Sequence, residues 1–222
     1  ATVTTGTTVN ITTSTLTDGT YTFYAKTVNA ANTASNCSTA NVAYVLDTAA
    51  PADPSISING GAAYTLSTSV SLTLAATDAT QMYITNTAGC GSGGSYEAYA
   101  TSKSGWVLAT ANATNSVYVK FKDAAGNETA CVSDSILHDN TGPSAPTVLS
   151  LGSVPVSDST TPTLTWTAAT DNGGSGVTSH QVQVYNTSDS TVVSGCAWTT
   201  SISGNALTCS ALSFATVTQY YM

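Results

Sequence analysis

FYAKTVNAANTASNC, from Phe23 to Cys37, returns as VYVKFKDAAGNETAC, from Val117 to Cys131, after a shift of 94 positions and without a gap. Tyr24 and Tyr118, Lys26 and Lys120, Ala30 and Ala124, Ala31 and Ala125, and Cys37 and Cys131 coincide. A second echo runs forward. SLTLAATD at Ser71–Asp78 returns as TLTWTAATD at Thr163–Asp171 with one residue inserted, and QMYITNT at Gln81–Thr87 matches QVQVYNT at Gln181–Thr187. A period of roughly 90–100 residues is the size of a β-sandwich module, and far too long for a solenoid repeat. The chain therefore reads as a stretch of a tandem array.

The strands are legible within these repeats. VYVKFK alternates with period two, so Val117, Val119 and Phe121 face a core while Tyr118, Lys120 and Lys122 face water. Similar runs stand at Thr20–Thr27, Val70–Leu74, Gln81–Asn86, Thr163–Thr167 and His180–Tyr185. No window carries a 3.6-residue apolar stripe, and Thr, Val, Ser and Gly disfavour helix. The fold class is all-β. Proline marks the joints: LDTAAPADP (Leu46–Pro54) and HDNTGPSAP (His138–Pro146) both place Pro four residues after Asp and a second Pro three further on. Such segments are extended and semi-rigid. The expected division is residues 1–46 as the closing part of one module, 47–141 as a complete module, and 142–222 as a module short of its last strands. Two explanations of this phase stay open: a piece of a longer array, or a subunit whose missing strands come from a neighbour by strand donation.

Composition limits function. Only 7% of residues are charged, the net charge is −8 and arginine is absent. Soluble domains usually carry ~25% charge, so the surface is dressed in hydroxyls and amides, and a polyanion such as nucleic acid would be repelled. No apolar run approaches the ~18 residues that a spanning helix needs, so no membrane insertion is expected. The two histidines, His138 and His180, stand apart from any G-x-S-x-G nucleophile turn, and no catalytic residue is assigned. Five cysteines in such a chain read as disulfides of an oxidising compartment. The repeat places Cys90 and Cys131 in one module and Cys196 and Cys209 in the next, leaving Cys37 unpaired.

The D-A-A-G-N turn at Asp123–Asn127, the D-N-T-x-P joint at Asp139–Pro143 and LTWTAATDNGGSG at Leu164–Gly176 resemble the bacterial immunoglobulin-like and fibronectin type III-like repeats of large surface proteins. The resemblance implies tandem sandwiches in an extended rod, with Trp166 as the buried sandwich tryptophan. It implies a structural or adhesive segment of a secreted or surface-displayed fibre, located outside the cell or on its surface. The partners expected are neighbouring modules or subunits of that fibre. Two binding readings accompany it. Tyr96, Tyr99, Trp106 and Trp198 are candidate aromatics for a glycan or a cell-surface protein. Asp47, Asp78, Asp123, Asp139 and Asp171 sit at turns and joints where calcium, the single cofactor considered, could gather carboxylates.

Overall fold

The structure is a computed structural model, and it describes residues 15–147, 149–150, 163–180, 185–186, 206–208 and 220–221. Among these the chain is all-β, its single helical element being a 3-10 turn at Ala88–Cys90. Two short strands open it, β1 (Gly19–Phe23) and β2 (Val42–Leu46), paired antiparallel from Gly19 opposite Leu46 to Phe23 opposite Val42. A three-stranded sheet follows, in the order β3-β5-β8, from β3 (Ala52–Ile58), β5 (Ser69–Thr77) and β8 (Ser102–Val107). A five-stranded sheet has the order β4-β10-β9-β6-β7, from β4 (Tyr64–Thr65), β6 (Gln81–Thr85), β7 (Tyr96–Ala98), β9 (Ala113–Lys122) and β10 (Val132–His138). Its ladders are antiparallel at β6–β7 and β6–β9, and parallel where β4 meets β10. Later residues give β11 (Leu149–Ser150), β12 (Thr163–Trp166) and β14 (Ala206–Thr208) in one sheet, and β13 (Tyr185–Asn186) with β15 (Tyr220–Tyr221) in another.

The alternation read from the sequence is the alternation of burial. In β9, Asn115, Val117, Val119 and Phe121 are buried and the residues between them are not. In β5 the buried set is Val70, Leu72, Leu74 and Ala76. Each fully buried aliphatic or aromatic side chain contributes ~1.5–3 kcal/mol of transfer free energy. The arrangement is sandwich-like. Tyr99, between β7 and β8, sets its ring edge-on to Phe121 of β9 at 5.8 Å, while its hydroxyl accepts the Ala76 N–H of β5 at 3.2 Å. The buried polar side chains Thr85 and Asn115 are paired, whereas Tyr96 OH, Trp166 Nε1 and His180 Nε2 are buried without a hydrogen-bond partner among the described residues. The Thr85 hydroxyl donates to the Ser92 carbonyl and accepts the Thr87 N–H, and Asn115 bonds Thr110 through both ends of its amide. Trp166 is buried too, its ring 5.5 Å from that of His180.

The first repeat is structural as well as textual. In the earlier copy Thr27 and Ser35 bond twice: the Ser35 N–H donates to the Thr27 carbonyl at 2.8 Å, and the Thr27 N–H donates to the Ser35 hydroxyl at 3.0 Å. In the later copy Phe121 and Thr129 bond in the same two ways, at 2.9 and 3.0 Å. The turns inside these pairs match also. Asn29 Oδ1 accepts the Thr33 N–H and Asp123 Oδ1 accepts the Asn127 N–H, both at 2.9 Å. Asn32 and Gly126 hold the same place with φ of 63° and 101°, the left-handed conformation that asparagine and glycine tolerate best.

Two expectations change in detail. The Pro54 segment, read as a joint, runs into strand β3; this strand lies at the edge of its sheet, where a residue without an N–H is tolerated. The strand expected over Thr20–Thr27 ends at Phe23. Cys90 and Cys131 form a disulfide, with Cα atoms 5.9 Å apart, and Cys37 is free and exposed. Cys196 and Cys209 lie outside the described residues. The described chain falls into two compact units: one comprises residues up to Ser57 with Thr73–Lys103 and Val117–Ser133, the other Ile58–Leu72 with Ser104–Ser116 and residues from Asp134 onward.

The disulfide closes a loop between positions 41 apart, for which about 2–4 kcal/mol of stabilisation is expected. Cys131→Ala should lower the free energy of unfolding by that amount in urea titration, and reduction of the native chain should match it.

Candidate functional site

Two clusters gather the chemistry-bearing side chains. The first, in the second compact unit, starts from the joint HDNTGP. Asp139 follows β10 and is buried. Its Oδ1 accepts the Thr141 N–H at 3.1 Å and its Oδ2 the Ser175 N–H at 2.6 Å. Asp171, in the DNGGSG loop after β12, accepts the Gly176 N–H at 2.7 Å through Oδ2. The two carboxylates converge on Gly174. A Cβ there would stand 2.5 Å from both Asp171 oxygens and 2.6 Å from Asp139 Oδ2, so a side chain at this position requires the carboxylates to shift. The Ser175 backbone N–H holds the Asp139 carboxyl below the usual range, helped by the Ser175 hydroxyl and the Thr141 N–H, while burial works against them. A cleft of about 380 Å³ opens beside the pair, walled by Tyr64, Leu66, Asp139, Pro143 and Asp171.

Of the five acids singled out for calcium, Asp139 and Asp171 are brought together, and both Asp139 oxygens and Asp171 Oδ2 are engaged by backbone N–H groups. Asp47 Oδ1 accepts the Ala49 N–H, and Asp78 stands exposed in the β5–β6 turn with φ of 66°. Asp123 organises its own turn: Oδ1 accepts the Gly126 and Asn127 N–H groups, and Oδ2 the Asn127 side-chain amide. Burial pushes the Asp123 carboxyl up, but the bonds from Asn127 and its neighbours outweigh it and hold the group low. Calcium takes six to eight oxygens; among the described residues no three His, Cys, Asp or Glu side chains come together.

The second cluster lies in the first unit, on the outer face of the five-stranded sheet. Register places Tyr96, Tyr83 and Lys120 in one cross-strand row. The Tyr83 and Tyr96 ring centroids are 5.4 Å apart. The Lys122 ammonium lies 3.7 Å from the Tyr96 centroid, and that of Lys120 lies 5.4 and 5.6 Å from the Tyr83 and Tyr96 rings. Glu128, past the turn, completes the group, 2.8 Å from Lys120 Nζ and 3.1 Å from Lys122 Nζ. Lys120 chiefly, then the Tyr96 hydroxyl and Lys122, bring the Glu128 carboxyl down to about 2. Burial above all, together with the Glu128 carboxylate, pushes the Tyr96 phenol up.

Two of the aromatics expected to bind ligands are already employed. Tyr96 is covered on one face by Lys122, and Tyr99 is a spacer between sheets. Trp106 is half-buried in β8, and Trp198 lies outside the described residues. His138 is buried, with Nδ1 accepting the Asn112 N–H at 2.9 Å. The Glu128 cluster was not foreseen from the sequence. Its signal was there, since Lys120 and Lys122 precede the D-A-A-G-N turn and Glu128 follows it at hairpin spacing. No protein-family model matches the chain, and no curated protein matches it.

Two outcomes follow from this geometry. Gly174→Ala forces the carboxylates apart, and should lower stability by ~1–3 kcal/mol and speed hydrogen exchange at the Ser175 amide. Glu128 ionises more readily folded than unfolded, so its contribution is present at neutral pH and is lost as pH falls from about 4.5 toward about 2. The carboxylate is partly exposed, so that contribution is no more than about 1 kcal/mol. Urea midpoints at pH 7 and near pH 2 should differ less for Glu128→Gln than for the native chain.

Proposed function

We propose that this chain is a structural segment of a secreted or surface-displayed bacterial fibre or adhesin, built from tandem immunoglobulin-like or fibronectin type III-like sandwiches, and that its work is mechanical. The observation that carries this reading is the repetition of one hairpin, with its paired backbone bonds and its Asx turn, 94 residues apart, with a disulfide linking the later copy to the turn after β6. Repetition of a β-unit along one chain makes length, and a disulfide limits how much of that length is released when a module yields. The covalent link between Cys90 and Cys131 suits a non-reducing environment. Among the described residues no helix is long and apolar enough to cross a membrane. Tyr96 and Tyr99 are engaged in packing, and Asp47, Asp123, Asp139 and Asp171 in turn capping, which favours the spacer over a glycan-binding reading.

Single-molecule stretching of the native chain tests the proposal. The disulfide holds back the chain between positions 41 apart, about 140 Å at ~3.4 Å per residue. Unfolding in reductant should show a force peak whose contour-length gain exceeds that of the oxidised chain by this amount. A chain that extends without a peak, or gains the same length with and without reductant, would refute a mechanical role.

A further inference from the structure

The tripeptide Asn-Gly-Gly occurs twice, at Asn59–Gly61 and at Asn172–Gly174, and glycine follows no other asparagine of the chain. The pairing matters chemically. Asparagine is a labile residue, and glycine, having no Cβ, leaves its own nitrogen open to the side chain before it. Both copies lie in the second compact unit, yet the fold treats them in opposite ways.

Asn59 is half-buried and tied down. Its N–H donates to the Ser71 carbonyl at 2.8 Å, and its Oδ1 accepts the Ser71 N–H at 2.9 Å and the Ser71 hydroxyl at 3.2 Å. With φ of 47° and 68°, Asn59 and Gly60 form the tight left-handed turn that Asn-Gly favours, closed by the Gly61 N–H on the Ile58 carbonyl at 2.9 Å. Asn172 and Gly173 are exposed. Among the described residues neither the Asn172 side chain nor the Gly173 N–H has a hydrogen-bond partner, and a Cβ on Gly173 would meet nothing within 4 Å. This loop is pinned further on, by the Ser175 N–H on Asp139 and the Gly176 N–H on Asp171.

We infer that Asn172 is a site of self-modification, losing its amide through an imide formed with Gly173, while the fold protects Asn59. The Gly173 nitrogen, its proton passing to solvent base, bonds to Cγ of Asn172. The bond from Cγ to Nδ2 breaks, and the amide nitrogen takes a proton from water and leaves as ammonia. Water then opens the five-membered imide at either carbonyl, giving aspartate or isoaspartate. Both products add a negative charge next to Asp171. Isoaspartate also lengthens the main chain by one methylene between Asp171 and the Ser175 and Gly176 amides, so the two bonds that pin the loop are disturbed. At Asn59 the same ring closure would draw Oδ1 off both Ser71 donors and take the backbone out of its turn, which those bonds oppose. The inference rests on this contrast and stands apart from the mechanical reading.

Peptide mapping by mass spectrometry of the full chain, held at mildly alkaline pH and sampled over time, tests it. Conversion should be at least tenfold faster at Asn172 than at Asn59, about 1.4 kcal/mol in barrier. In concentrated guanidinium chloride, where the two identical tripeptides lose their surroundings, the rates should converge to within about threefold. In the folded, converted chain the Ser175 and Gly176 amides should exchange at least tenfold faster than before. Asn172→Gln keeps the backbone bonds of the loop, and its exchange there should stay constant over the same time. No conversion at Asn172, equal rates at the two asparagines in the folded chain, or a difference that persists in denaturant overturns the inference. So does exchange at Ser175 and Gly176 that conversion leaves unchanged.

Discussion

Five consecutive residue pairs between β6 and β9 are the contact on which the central part of this protein depends. That ladder fixes the register of residues 118–122 of the ten-residue β9, and the period of two turns Val117, Val119 and Phe121 inward together. The same register delivers Lys120 to Tyr83 and Tyr96 on the outer face and brings Lys122 over the Tyr96 ring. The disulfide reinforces the ladder from its end, since Cys90 follows β6 and Cys131 follows the turn that closes β9. Beside residues 24–27, where the described residues form no such ladder, an equivalent sequence holds its turn but does not extend its strand.

The all-β class and the core of β9 were legible because both rest on local alternation, which needs no knowledge of the partner strand. The Cys90–Cys131 pair was legible for a different reason: the repeat limited which cysteines share a module. Reading failed where the outcome depends on a neighbour. Pro54 argues against a strand unless the strand is known to be an edge, and edge position belongs to the sheet. Alternation by itself also carried β1 too far, because among the described residues no strand pairs with Tyr24 to Thr27, which have strand character.

The candidate site was legible in parts. Of the five aspartates singled out, Asp47, Asp123, Asp139 and Asp171 cap their own turns as the Asx preference for nearby backbone N–H groups leads one to expect. That Asp139 meets Asp171 does not follow, because 32 positions separate them and the requirement falls on Gly174, a residue with no chemistry of its own. The aromatics were read as surfaces because Tyr and Trp suit binding sites; register assigned Tyr96 to lysine ammoniums and Tyr99 to the space between sheets instead.

The paired turns have an evolutionary consequence. Asn29 does in one copy what Asp123 does in the other, Ser35 what Thr129 does, and Asn32 what Gly126 does. Each place is defined by an acceptor, a hydroxyl or a tolerated dihedral, so several residues satisfy it equally well. Drift among them erodes resemblance letter by letter while leaving the bonding diagram intact. Kinship among such modules is therefore better traced by aligning hydrogen-bond roles than by counting identities.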